Sequence, residues 1–228
     1  MVTPLKKAYQ FGRRAIIAQK VKNSKKVFCI GRNKTGTTSM AALLDKLGFI
    51  VAPQRPAELM LDDWKRREFD QLLSFVKYRG DAFQDIPFSL PETYKVLDKA
   101  FPDSKFILTV RDSPDKWYRS LVNFHSKLFG RNGKKPTVAD LKRAEYVHKG
   151  YMLKCNRYIY DPPEQDPYHE PTLKAHYRKY NDNVKAYFSD QPDKLLVVNV
   201  KKQDSAKRIC QFLDTKKQLE RMPWKNKT

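Results

Sequence analysis

The sequence predicts an α/β fold: a three-layer domain in which helices flank a mostly parallel central sheet. Three observations carry this. Short runs that are almost wholly apolar recur at 26–30, 105–110 and 195–200. Between them lie segments with apolar residues at helical spacing. The first apolar run also passes through a glycine-bounded loop straight into a helical pattern. Strands that are apolar on both faces must be buried on both faces, which is the condition of a parallel sheet covered by helices.

The elements follow in order. Lys26 to Ile30 reads as a buried strand that stops at Gly31. A loop over 32–36 leads into a helix over 38–47. Gly48 ends it, glycine being favoured just past a helix C-terminus. Phe49 to Val51 reads as a second short strand, and Glu58 to Tyr78 as one helix with Leu61, Trp64, Leu72 and Val76 on its apolar face. Asp81 to Ile86 is a strand, 91–100 a short helix opened by proline, and Lys105 to Val110 a strand that ends at Arg111. Helices are expected over 114–129 and 137–155, then a proline-rich surface segment over 158–171. A helix over 173–188, a strand over 195–200 and a helix from Asp204 to Leu213 complete the pattern. The sheet should hold about five strands, the usual size.

Length and composition fit one domain over 26–228, preceded by a basic N-terminal arm over 1–25. That arm is expected to be solvated, with a membrane-surface helix as the alternative. Hydrophobic residues make up 40% of the chain, which excludes a wholly disordered protein. Lys and Arg number 46 against 25 Asp and Glu, a formal charge of +21, so anionic partners are favoured without being named. No stretch approaches the roughly 20 apolar residues that span a bilayer, and the start lacks an apolar core of signal-peptide length, so a cytoplasmic location is expected. Cys29, Cys155 and Cys210 are scattered without metal-ligand spacing. Cys29 and Cys210 read as buried thiols of a reducing compartment.

The chemistry concentrates at the first strand-to-helix junction. Gly31-Arg32-Asn33-Lys34-Thr35-Gly36-Thr37-Thr38-Ser39 has the glycine spacing of a phosphate-binding P-loop. A nucleoside triphosphatase needs lysine after the second glycine, where Thr37 stands here; the lysine is inside the loop, at Lys34. The anion-binding physics is independent of that lysine's place. Backbone N–H groups and the helix N-terminus favour negative charge, and Thr37, Thr38 and Ser39 add hydroxyl donors. A second candidate group lies at the end of the strand over 105–110. Arg111 sits at a carboxyl end, where open α/β sheets bind ligands, and Ser120 lies in the following helix.

Lys34-Thr35-Gly36-Thr37-Thr38-Ser39 resembles the 5′-phosphosulfate loop of the sulfotransferases, with Asn33 where many members carry proline. Strand–Arg111–helix–Ser120 resembles the family's 3′-phosphate motif, with one more residue between Arg and Ser than is common. The helix with Cys210-Gln-Phe-Leu213 and the Pro223-to-Thr228 tail resemble the family's ending, where Lys225 and Lys227 stand near the 3′-phosphate or are solvated. The resemblance implies a P-loop-type fold and a donor, 3′-phosphoadenosine-5′-phosphosulfate (PAPS), whose product is 3′,5′-adenosine bisphosphate (PAP). It implies Lys34 as the catalytic lysine and Arg32 through Ser39, Arg111 and Ser120 as donor ligands. No metal is implied.

An acceptor hydroxyl or amine also needs a base within hydrogen-bond reach. Asp85 is the candidate, because its position between the donor motifs resembles that of the family's base and Ile86-Pro87-Phe88 would desolvate it. Asp81 and His125 are the alternatives, and all four histidines are expected among polar surface residues. The surplus positive charge and the basic, Tyr-rich segment 137–180 point to a carbohydrate or other anionic acceptor, such as an anionic glycan or glycolipid, rather than to an apolar pocket. Peripheral contact with a membrane surface is compatible with this charge. A P-loop small-molecule kinase and a non-enzymatic nucleic-acid-binding protein are the alternative functions. The first lacks its diagnostic lysine. The second leaves the clustering of Lys34, Thr37, Thr38 and Arg111 unexplained and shows no common nucleic-acid motif.

Overall fold

The structure, a computed structural model, describes residues 4–223. Four parallel strands form its sheet: β1 (Val27–Cys29), β2 (Ala82–Gln84), β3 (Lys105–Thr109) and β4 (Leu195–Val198). Their spatial order is β2-β1-β3-β4. The chain leaves β1 toward β2 on one side, then crosses back to β3 on the other. The crevice at the carboxyl ends of β1 and β3 is therefore a topological switch point, where open α/β sheets place their ligands.

Period-two alternation divides the core into two layers. Phe28 and Ile30 of the first strand run, with Phe83, Phe106 and Leu108, face one side. There they meet α5 (Asp70–Arg79), α6 (Thr93–Ala100) and α10 (Glu170–Tyr187). Val27, Cys29 and Ile107 face the other side and meet α2 (Thr37–Lys46) and α11 (Ser205–Phe212). Register places Phe28 beside both Phe83 and Phe106, and each ring lies 5.3 Å from that of Phe28. A third apolar cluster joins α7 (Pro114–Phe129), α8 (Val138–Arg143), α9 (Tyr151–Tyr160) and α10 above the carboxyl edge of the sheet. Trp117 is its centre, fully buried and stacked 4.5 Å from Tyr177.

Several boundaries differ from the sequence reading. The segment 49–51 contributes one isolated bridge, Val51 to Ala82, and no strand, so among the described residues the sheet has four strands where five were expected. The single helix expected over 58–78 is broken: α3 (Gln54–Glu58) ends where it was to begin, and two helices, α4 (Leu61–Arg66) and α5, take its place. Arg67, with φ 64°, turns the chain between the last two in a left-handed conformation that no helix propagates. The helix expected over 137–155 splits into α8 and α9. A capping box at Thr137 and Asp140 starts the first, and Gly150 with φ 76° opens the second. The proline-rich segment is not wholly surface, since Tyr168 is 2% exposed. Residues 4–21 form a basic helix, α1 (Pro4–Val21), which packs along α5 and is tied down by the buried Lys26, whose ammonium donates to the Val21 and Gly80 carbonyls. Among the described residues no helix is long and apolar enough to cross a membrane. Cys29, Cys155 and Cys210 are free and buried.

The site depends on β1 and β3 lying tightly together where β1 ends. A Cβ on Gly31 would fall 1.9 Å from the Thr109 hydroxyl oxygen and 2.5 Å from the Thr109 carbonyl. Backbone on one side and a buried strand on the other leave no room to relax. Gly31→Ala should therefore destabilise the fold by roughly 1–3 kcal/mol or more, the usual effect of overpacking. Urea unfolding measures it, and a midpoint equal to that of the parent protein would contradict this packing.

Candidate active site

The loop after β1 is held from several directions. Tyr180 of α10 donates its hydroxyl to the Ile30 carbonyl at 2.7 Å, and the indole N–H of Trp117 donates to the Asn33 carbonyl at 3.0 Å. Thr35 is buried, bonding to the Arg32 carbonyl at 2.5 Å and to the Thr109 hydroxyl at 2.6 Å. Arg111, at the end of β3, donates from Nε to the Lys34 carbonyl at 2.6 Å. Lys34 itself takes φ 66° and Gly36 φ 105°. A Cβ on Gly36 would meet Val200 at 2.4 Å, so glycine is required there by both conformation and space. Gly36 caps α2 without a side-chain hydrogen bond, and the first turn of the helix opens into a cavity of about 600 Å3.

The cavity collects most of the residues singled out in the sequence. Asn33, Lys34, Gly36, Thr37, Thr38 and Ser39 line it, together with Arg111 and Asp85. Two loop residues turn elsewhere. Arg32 is 1% exposed; its guanidinium donates to the Ser89 carbonyl and lies about 5.5 Å from the rings of Tyr160 and Tyr180. Thr35 faces the core as described. Ser120 stands behind Arg111, accepting from its Nη2 at 3.3 Å. Asp81 lies at the amino end of β2 and accepts from the Ile50 N–H at 2.7 Å, outside the cavity. Lys225 and Lys227 lie outside the described residues.

The electrostatics separate these groups. Burial lowers the Lys34 ammonium to a pKa of about 8, and Arg111 and Lys127 push the same way against Asp85. Its Nζ lies 3.5 Å from the centroid of Phe124. Burial raises the Asp85 carboxyl above the usual range, opposed by Arg32, Lys34 and hydrogen bonds from the Ile86 N–H and the Thr37 hydroxyl. Asp85 follows β2 directly with φ 61°, which aims the carboxylate at the loop. Burial is the largest cause of both shifts, and it moves the two titrations toward each other.

The profile of the sulfotransferase-domain family matches residues 26–228. The chain belongs to the sulfotransferase family. No curated protein matches it significantly. Among the described residues of this sulfotransferase, no group of three His, Cys, Asp or Glu side chains could hold a metal.

Sequence reasoning missed part of the cavity. Lys201 lines it from just beyond β4, and the strand-end rule that marked Arg111 applied there too. Glu58, at the end of α3, lines it as a second carboxylate and is only 5% exposed. Burial, opposed by Arg55, raises it to a pKa of about 7, and Asp85 adds to the rise. Nothing in its local sequence marks it, because α3 is brought there by the turns around Leu59 and Arg67. The region beyond Lys34 is also less polar than the composition of 137–180 indicates. Phe124, Leu128 and Phe129 of α7, with Tyr146, Tyr151 and Met152, form its walls.

His125 needs the clearest correction. It was expected on the surface; it is 8% exposed, lines the cavity, and its Nδ1 pairs with the Tyr168 hydroxyl at 2.8 Å. Burial, helped by Lys34, lowers its pKa to about 3. His125 should therefore stay neutral through the physiological range. Its ring resonances in NMR should not move between pH 7.5 and pH 5, and a midpoint near 6.5 would contradict this environment.

Proposed function

We propose that this sulfotransferase moves a sulfuryl group from PAPS to an acceptor hydroxyl or amine, with Lys34 and Asp85 as its catalytic residues. The observation that supports this most is the meeting of the Lys34–Ser39 loop, Arg111 and Asp85 around one cavity. The residues fit an anionic donor of this type. The uncapped start of α2 and its hydroxyls suit a phosphosulfate, and Arg111, braced by the Lys34 carbonyl and Ser120, suits a phosphate. Asn33 and Lys201 add polar and positive groups to the same end. Arg32 and Thr35 then act as posts that hold the loop rather than as ligands, and Ser120 acts through Arg111.

The donor supplies the sulfuryl group as a mixed anhydride, and its departure leaves PAP. Asp85 takes the proton from the acceptor as its oxygen or nitrogen bonds to sulfur. Lys34 balances the negative charge that develops on the phosphate oxygen as the sulfur–oxygen bond breaks. Such stabilisation by a fixed cation in a partly dehydrated site is worth several kcal/mol in comparable enzymes. His125 is a poor base at a pKa of about 3 and serves the wall of the site.

Turnover of PAPS is the direct test. Lys34→Ala should lower it by roughly two to three orders of magnitude. Asp85→Asn should lower it by about 10²–10⁴-fold while PAP still binds. Near-parental rates in both variants would refute the assignment. The pH profile follows from the shifts. Activity should rise as Asp85 loses its proton and fall above about pH 8, where Lys34 loses its charge. A plateau extending to pH 10 with no alkaline limb would exclude Lys34 as the essential cation.

A further inference from the structure

The cavity is polarised, and its two ends fit different chemistry. Its positive side chains, Lys34, Arg111 and Lys201, gather at the donor end with the Thr37–Ser39 hydroxyls. The far chamber has aromatic and aliphatic walls and one buried carboxylate, Glu58. Phe129 and Tyr151 flank Tyr146, each ring 6.2 Å from its own. Leu128 and Tyr146 are 52% and 43% exposed, so the chamber's rim is itself apolar. The surplus basic residues lie elsewhere: Arg131, Lys134 and Lys135 are exposed and do not line the cavity.

Glu58 is held in place without being used up. Its Oε1 accepts from the Tyr146 hydroxyl at 3.3 Å and its Oε2 from Arg55 at 2.9 Å. Its backbone carbonyl accepts from the Tyr151 hydroxyl at 2.9 Å. Arg55 lies 4.4 Å over the Tyr146 ring, with its side chain half exposed and outside the cavity lining. A carboxylate has about four acceptor positions, so two remain. An anion entering the chamber would meet the carboxylates of Glu58 and Asp85, whereas a cation would be attracted by them.

Resting on the sulfotransferase reading, we propose that the chamber is an acceptor site for an apolar molecule that carries a protonated amine besides the group to be sulfated, and that Glu58 selects it by receiving the ammonium. The apolar body fills the walls between α7 and α9. The reacting hydroxyl is then directed to the Asp85 side. Burial works against the charge on Glu58 in the free protein, and an ammonium beside it offsets that effect. This acceptor class differs from the anionic glycan expected from the net charge, because the chain's positive surface and its cavity are separate features.

Three phenols of matched size test the proposal: 4-(2-aminoethyl)phenol, 4-ethylphenol and 3-(4-hydroxyphenyl)propionate. Each is measured for binding in the presence of saturating PAP and for turnover with PAPS, alongside an acidic glycan. The amine should exceed the carboxylate by about tenfold or more in affinity and in kcat/KM. Glu58→Gln, which can keep the Tyr146 bond, should reduce that preference to less than about threefold while PAP affinity is retained. Preference for the carboxylate or the glycan, an unchanged preference in Glu58→Gln, or no phenol binding in a protein that binds PAP would overturn the acceptor assignment. Failure to bind PAP at all would instead overturn the sulfotransferase reading on which it rests.

Discussion

The close approach of β1 and β3 at Gly31 is the constraint on which the site depends. With no side chain between the two strands, the chain leaving β1 passes against Thr109 and reaches the mouth of the sheet as a narrow loop. Thr109 then serves both strands: its hydroxyl bonds to Thr35, and the next residue but one, Arg111, bonds to the Lys34 carbonyl. The loop after β1 and the end of β3 are thus one hydrogen-bonded unit. Lys34 and Arg111 cannot move apart without breaking it. The second glycine, Gly36, has the same function toward Val200, which seats the start of α2 against the end of β4.

Around this unit the helical cap supplies rigidity. Tyr180, Trp117 and Tyr177 each send one polar atom down to the backbone of Ile30, Asn33 and Arg111 while their rings remain in the core. Aromatic residues suit that task, since the apolar body is buried and only the tip needs a partner. The buried guanidinium of Arg32 is fixed between Tyr160, Tyr180 and the Ser89 carbonyl. Lys34 is therefore presented by a backbone that has little freedom. Its lowered pKa and the raised pKa of Asp85 have one main cause, the partial exclusion of water by the walls of the cavity.

What was legible in the sequence is what is written locally. The strands β1, β3 and β4 are continuous apolar runs, α7 begins at the Ser113–Pro114 signal, and Lys34 through Ser39 lie in one contiguous stretch. Arg111 was legible because the position of a strand's carboxyl end carries meaning in this fold class. The remainder depends on turns that bring distant segments together. Arg67 and Gly150 adopt left-handed backbone conformations inside patterns that look helical throughout, and those turns aim α3 and α9 at the cavity. Glu58 and Tyr146 meet across 88 positions of chain, so no window of sequence contains both. His125 looks like a polar residue of an amphipathic helix, yet Tyr168, from a segment rich in prolines, packs against it and pairs with its Nδ1. Net charge reports the sum of the whole chain and is silent on which side chains line a cavity.

The central claim is that two anion sites, the start of α2 and Arg111, act on one nucleotide. Calorimetric titration with PAP and with AMP measures this most directly, because the two ligands differ by the 3′-phosphate. A charge-assisted hydrogen bond to a guanidinium is worth roughly 1.5–3 kcal/mol, so PAP should bind about tenfold or more tightly than AMP. Equal affinities for PAP and AMP would contradict the account.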